Sequence, residues 1–131
     1  MFWLKSVFKQ KKPKEIIVKQ IRFLCVQDGK PERDLKESLS KFFMRTSLVQ
    51  RAYLARVDYG KPDDYEVALC LSSNLNEEKQ KTKLAADLSE IFAKQFRSDV
   101  HLDILFLKEG QEEELCRVCR PFYDIKMTPR N

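Results

Sequence analysis

The stretch VQRAYLARVDY, residues 49–59, decides the fold of this 131-residue chain. It is rich in β-branched, aromatic and aliphatic side chains over the length of a strand. A second stretch of the same kind, YEVALCL at residues 65–71, follows a connection of five residues that contains Gly60 and Pro62. A short connection with these residues predicts an antiparallel hairpin. The hairpin specifies an architecture and brings no group typical of catalysis.

Side-chain alternation in the hairpin predicts which residues build the core. Successive side chains of a strand point to opposite faces of the sheet. The odd positions carry the bulkier row, which consists of Val49, Tyr53, Val57, Tyr59, Tyr65, Val67, Leu69 and Leu71. We expect this row to contact the helices. Leu54 lies on the other row and indicates that the second face is not wholly exposed.

Periodicity and turn residues predict the elements on either side of the hairpin. In chain order they are a strand over residues 15–27, a helix from Pro31 to about Thr46, the two hairpin strands, a helix capped by Asn74 or Asn76 that runs to about Phe96, a strand over residues 100–107 and a helix over residues 111–120. The order β-α-β-β-α-β-α predicts an α+β, two-layer sandwich. We expect a four-stranded antiparallel sheet with helices on one face, in a ferredoxin-like arrangement.

Composition indicates a single intracellular domain over residues 15–131. A hydrophobic content of 43% is enough for one core. No apolar run reaches the roughly 20 residues of a transmembrane helix, and the N-terminus lacks the pattern of a secretory signal. Cys25 and Cys70 lie inside apolar runs, as is typical of reduced thiols. We therefore expect a cytoplasmic protein with free cysteines.

The basic charge lies in residues 1–14, a predicted amphipathic N-terminal segment. These residues hold five lysines and no acid, so the net charge of +5 belongs to them and the rest of the chain is neutral. That distribution argues against a nucleic-acid partner. The segment is suited to a membrane surface, to a protein partner or to packing on its own domain. The residues expected to make these contacts are Phe2, Trp3, Leu4, Lys5, Phe8, Lys9, Lys11 and Lys12.

Cys116 and Cys119 form a Cys-x-x-Cys motif. Such a pair serves redox chemistry or half of a zinc site, but a redox pair usually opens a helix, where the helix dipole favours the thiolate. This pair falls near the end of a predicted helix, and no second pair of zinc ligands occurs elsewhere. We favour a packing role, with a thiol-dependent or metal-binding enzyme as the alternative.

Asp99, His101 and Asp103 alternate at the start of the predicted fourth strand and so project from one face. Two carboxylates beside an imidazole are suited to metal binding or acid–base chemistry. The simpler interpretation is the solvent-facing row of a strand. The three glycines lie in separate turns, so no glycine-rich loop is present to hold a nucleotide, and we expect no cofactor.

Three short motifs resemble the C-terminal domain of the SseB family, named for enhanced serine sensitivity. They read Gly29-Lys30-Pro31 before a helix, Val49-Gln50-Arg51-Ala52-Tyr53-Leu54 in a strand and Pro121-Phe122-Tyr123 at the close, and the resemblance covers about residues 16–124. It implies structural roles for these positions, Tyr53 and Tyr123 included, and no catalytic residue. Typical members carry an additional N-terminal SseB domain, where this chain has the lysine-rich segment. The family implies a loose association with serine sensitivity and sulfur-transfer genes.

No convergent set of polar residues is evident in the sequence. The leading hypothesis is therefore a non-enzymatic module that contacts a protein partner or a second copy of itself. A thiol-dependent or metal-binding enzyme at Cys116 and Cys119 is one alternative. Peripheral membrane attachment through the N-terminal segment is the other.

Overall fold

The structure is a computed structural model that describes residues 21–58, 60, 66–96 and 102–126. Within these residues the chain forms five strands and three helices. The strands are β1 (Arg22–Val26), β2 (Val49–Asp58), β3 (Glu66–Ser73), β4 (Asp103–Phe106) and β5 (Tyr123–Asp124). The helices are α1 (Lys30–Thr46), α2 (Glu78–Gln95) and α3 (Gln111–Cys116). The predicted α+β class is confirmed, and β5 is an element that the sequence did not predict.

Helix α1 follows the sequence prediction closely. Pro31 stands in its first turn, where a missing N–H costs no hydrogen bond, and Glu32 lies near the positive end of the helix dipole. Leu35, Leu39 and Phe43 recur at spacings of four and are fully buried. The helix ends at Ser47, whose φ of 57° is left-handed and whose N–H donates to the Phe43 carbonyl.

The other two helices differ from prediction at one end each. Helix α2 begins after Glu77 without a side-chain cap, so the expected caps Asn74 and Asn76 are wrong. Helix α3 stops at Cys116 instead of continuing to residue 120. The Leu115 carbonyl accepts from the N–H groups of both Val118, at 3.0 Å, and Cys119, at 2.9 Å, which closes the helix into a tight turn.

The sheet is mixed, in the order β1-β2-β3-β4, with β5 also paired to β2. Strands β1, β3 and β5 run antiparallel to β2, and the predicted hairpin between β2 and β3 is confirmed. Strand β4 runs parallel to β3, because α2 carries the chain back across the sheet between them. The prediction of a purely antiparallel sheet is therefore wrong, and the ferredoxin-like arrangement is not confirmed.

Both faces of the sheet are covered, which corrects the prediction of helices on one face. Helices α1 and α2 pack on one face, and the buried residues of that cluster include Leu39, Leu69 and Leu88. Helix α3 contributes Leu115 to a second cluster on the opposite face, together with Tyr53 and Cys70. The three layers explain why β2 and β3 are apolar on both of their rows.

The register of the hairpin divides the predicted core row between these two faces. Tyr53 lies opposite Cys70, and Leu54 lies opposite Leu69. Residues opposite each other in an antiparallel pair share a face, so Leu54 joins Leu69 under α1 and α2 while Tyr53 faces α3. The odd row thus holds as predicted for Val67, Leu69 and Leu71 of β3, whereas Tyr59 and Tyr65 lie outside the described residues. In β2, Tyr53 and Val57 are buried as predicted but lie on the opposite face from that row, because an irregularity between Val49 and Arg51 shifts the register.

The family-like motifs at residues 49–54 and 121–123 meet in space. Strand β5 pairs with β2 through Tyr123 opposite Ala52, and the Phe122 N–H donates to the Ala52 carbonyl at 2.9 Å. The Tyr123 ring lies 5.3 Å from that of Phe43, and its hydroxyl donates to the Phe43 carbonyl at 3.4 Å. The closing motif therefore ties α1 to the central strand.

Candidate functional site

A closed polar network joins α3 to the central strand β2. The Glu112 carboxylate accepts two bonds from the Arg51 guanidinium, at 2.5 Å from Nε and 3.1 Å from a terminal nitrogen. It also accepts from the Tyr53 hydroxyl at 2.6 Å. Arg51 and Tyr53 stand two residues apart on β2, so both side chains lie on the face that α3 covers. This network fixes the first turn of α3 to the sheet.

The network holds each of its groups in one protonation state. The hydrogen bond from Arg51 lowers the pKa of Glu112, and the bond from the Tyr53 hydroxyl lowers it further. Together these bonds outweigh burial, which by itself would raise the pKa. Burial raises the pKa of Tyr53 far above its usual value, and the hydrogen bond that its hydroxyl donates to the Glu112 carboxylate acts in the same direction. At neutral pH the site therefore contains a carboxylate, a guanidinium and a neutral phenol.

Cys116 lies at the edge of this network, with its Sγ 3.3 Å from the Tyr53 oxygen. A tyrosine hydroxyl has one hydrogen, and the ionised Glu112 carboxylate can only accept, so that hydrogen goes to Glu112. The Cys116 S–H is then the donor to the Tyr53 oxygen. This contact engages the Cys116 thiol with the edge of the network. Cys116 is nevertheless exposed to solvent, in contrast to Cys119.

Cys119 is a buried cysteine that follows α3 and packs against strand β2. It is 4% exposed, and its Sγ lies 3.7 Å from the Leu54 carbonyl and 3.6 Å from that of Arg120. Burial raises the pKa of Cys119 to about 11. The motif lies at the C-terminal end of a helix, as predicted, where the helix dipole disfavours a thiolate. Both features favour the packing role that the sequence suggested for this cysteine.

A surface groove of about 550 Å³ opens beside the motif, where α3 ends near the last residue of β1. Its walls come from Val26, Cys116, Arg117, Val118, Cys119 and Arg120. Val26 is 42% exposed and Val118 39% exposed, so two aliphatic side chains face solvent together. Among the residues that the structure describes, no carboxylate is paired with Arg117 or Arg120. The groove thus combines two exposed valines with two arginines.

A second buried polar cluster lies where β1 passes into α1. Gln27 donates to the Glu32 carboxylate at 2.8 Å and accepts from the Arg56 guanidinium at 3.1 Å. Glu32 is only 2% exposed, so this carboxylate depends on its hydrogen-bond partner. Its oxygen also occupies the space that a Cβ at Gly29 would need. The backbone of Gly29 is extended, so crowding, and not conformation, accounts for the glycine of the Gly-x-Pro motif.

The other residues singled out in the sequence are placed only in part. Asp103 begins β4 and is half-buried, whereas Asp99 and His101 lie outside the described residues. In the described part of the chain, no group of three or more His, Cys, Asp or Glu side chains could hold a metal ion. The N-terminal segment, with Phe2, Trp3 and Leu4, also lies outside the described residues, and its role stays a prediction.

Sequence reasoning missed both the network and the groove. Arg51 and Tyr53 stand on one row of a strand, and Glu112 lies in an acidic first turn, but nothing in the sequence predicts that α3 packs on that row. Val26 and Val118 are 92 positions apart in the chain, and only the fold places them along the same groove. The one available signal was a charged residue, Arg51, directly before the apolar run Ala52-Tyr53-Leu54 of β2.

None of the three described helices is long and apolar enough to cross a membrane. In comparison with known proteins, the family model described as "SseB protein C-terminal domain" matches residues 19–124. No curated protein and no solved structure matches the chain significantly. The matched range contains β1 to β5, the network and the groove.

Proposed function

The chain belongs to the SseB C-terminal domain family, and from that premise we propose that it is a non-enzymatic module that binds a protein partner through the groove beside Cys116. The observation that carries the proposal is the contrast between the network and the groove. The groups able to do chemistry are engaged with one another, whereas Val26, Val118 and the two arginines face solvent.

The engagement of the polar groups supports a structural role for them. Glu112 is held as a carboxylate by Arg51 and Tyr53, so it is a weak general base, and Tyr53 is held neutral. The Cys116 thiol is directed at Tyr53 and the Cys119 thiol at backbone carbonyls. These arrangements stabilise α3, whose last residue, Cys116, lines the groove together with the residues that follow it.

The composition of the groove supports binding of another protein. Protein interfaces are enriched in arginine and depend on apolar anchors surrounded by polar contacts. Arg117 and Arg120 flank Val118 in the sequence and line the same groove. We further propose that the module acts in the cytoplasm, where its four free thiols would stay reduced.

The test is affinity capture from an extract of the source cell, with wild-type protein and two variants. Arg117→Glu with Arg120→Glu reverses the charge of the groove, and Arg45→Glu reverses an exposed arginine at the end of α1 as a matched control. We expect a partner that wild type and the control retain and that the double variant loses. The captured partner is then purified and its affinity for all three proteins is measured by calorimetry.

Two results would overturn the proposal. One is a set of captured proteins that does not differ between wild type and the double variant. The other is turnover of a small-molecule substrate by the purified protein that Glu112→Gln or Cys116→Ser abolishes, which would show an enzyme instead.

A further inference from the structure

We infer that the groove recognises an acidic segment of the partner, in which carboxylates flank an aliphatic side chain. This inference rests on the proposed function and names the chemistry of its partner. The aliphatic side chain packs against Val26 and Val118, and the carboxylates pair with Arg117 and Arg120. Three properties of the groove lead to it.

The first property is uncompensated positive charge. Of the six residues that form the groove, two are arginines and none is acidic. Elsewhere in the described chain, arginines near carboxylates are paired, as Arg22 is with Asp58 at 2.8 Å and Arg51 with Glu112 at 2.5 Å. Arg117 and Arg120 make no such pair with the described carboxylates. Guanidinium groups of this kind bind carboxylates through paired hydrogen bonds.

The second property is the position of exposed apolar surface. Four large apolar side chains of the described residues are exposed, and two of them, Val26 and Val118, line this groove. They come from different parts of the chain, so neither segment alone supplies the apolar surface of the groove. An aliphatic side chain between them would lose contact with water on both sides.

The third property separates a protein segment from a nucleic acid. Single-stranded nucleic acids bind through aromatic side chains that stack on bases beside a cationic groove. The residues of this groove include no aromatic side chain. Carboxylates with an aliphatic side chain between them match the walls better than phosphates with bases.

The test uses fluorescein-labelled peptides with the core Asp-Leu-Glu between flexible Gly-Ser ends, and full-length protein. Peptides with Asn-Leu-Gln and Asp-Ser-Glu cores remove the charges and the aliphatic side chain separately, and a 12-nucleotide single-stranded RNA is the nucleic-acid probe. We expect saturable anisotropy for Asp-Leu-Glu alone, with Kd of about 10–100 μM for so short a segment.

Variants assign the contacts. Arg117→Ala and Arg120→Ala are each expected to weaken Asp-Leu-Glu binding about fivefold, and Arg45→Ala is expected to leave it unchanged. Val118→Ser removes one apolar wall and is expected to weaken binding about fivefold. All of these side chains are exposed, so the variants should fold as wild type does.

Cys116 provides an independent readout, because it is the exposed cysteine of the four and it lines the groove. A saturating amount of the Asp-Leu-Glu peptide should slow its alkylation by iodoacetamide, and the Asn-Leu-Gln peptide should not. Protection at Cys116 locates the bound peptide without relying on any substitution.

The inference is wrong if Asp-Leu-Glu shows no saturable binding up to about 1 mM, if its affinity does not depend on the two arginines, or if the RNA binds more tightly. It is also wrong if the captured partner contacts the groove through a segment without acids, or if the partner is a second copy joined there by apolar contacts alone. In those last cases the capture experiment still succeeds, so failure of the inference is distinct from failure of the proposed function.

Discussion

The two faces of the sheet share strands β2 and β3 but are held by different interactions. Under α1 and α2 the buried cluster is apolar apart from Tyr123, whose hydroxyl donates to a backbone carbonyl. Under α3 the buried side chains include Tyr53, whose hydroxyl is part of an ionic network, and two thiols. Long helices bury enough apolar surface to remain in place. Helix α3 has six residues and buries only Leu115, so it depends on polar contacts to hold it.

The largest effect is expected on the apolar face. Leu39 is fully buried between α1 and the sheet, and Leu39→Ala removes its packing and leaves a cavity. The free energy of unfolding should fall by about 3 kcal/mol in urea titrations. Leu48→Ala is the matched control, because Leu48 is 39% exposed and should change stability by less than about 0.5 kcal/mol. Similar losses in the two variants would mean that this face is loosely packed.

The next effect concerns the polar network. Glu112→Ala leaves Arg51 and Tyr53 without their shared acceptor and should lower the free energy of unfolding by about 2 kcal/mol. Glu113→Ala removes an exposed carboxylate from the same first turn and controls for the helix dipole, with a loss of less than about 0.5 kcal/mol. Equal losses would show that the dipole, and not the network, holds α3.

A smaller effect is expected where α1 begins. A Cβ at Gly29 would displace the Glu32 carboxylate from its bond with Gln27, so Gly29→Ala should cost about 1 kcal/mol. In a Glu32→Ala background the crowding is absent, and the same change at Gly29 should be neutral or slightly stabilising. An identical cost in both backgrounds would refute the steric explanation.

The smallest effect is the pH dependence of the network. The pKa of Glu112 in the folded protein is lowered from its ordinary value of 4.5. The ionised carboxylate therefore contributes its full stabilisation to the folded state above pH 4.5. This stabilisation is lost as the pH falls through the lowered pKa. The difference in unfolding free energy between wild type and Glu112→Gln should therefore be constant from pH 5 to 7 and shrink below about pH 4.5. A difference that grows on acidification would contradict the depressed pKa.

Much of the sheet face that α1 and α2 cover could be predicted from local patterns. The spacing of Leu35, Leu39 and Phe43 defined α1 and its buried side, because a helix places every third or fourth residue on one face. The hairpin followed from residue types and a short connection. The assignment of Tyr53 to the wrong face shows the limit of such reasoning, since an irregularity of one residue in β2 exchanges its two rows.

The sheet face that α3 covers could not be predicted in the same way. Arg51 and Glu112 are 61 residues apart, and their ion pair depends on where α3 packs. The parallel pairing of β4 with β3 likewise depends on the path of the chain through α2.

The sequence by itself determined the α+β class, the three helices, the hairpin and the resemblance to the SseB C-terminal domain, since periodicity and short motifs record local preference. Only the tertiary structure decided that the sheet is mixed and covered on both faces, that Glu112 binds Tyr53 and Arg51, and that Val26 and Val118 line one groove with two arginines. The physical reason is that these features join residues far apart in the chain, whose contacts are set by packing and not by local sequence preference.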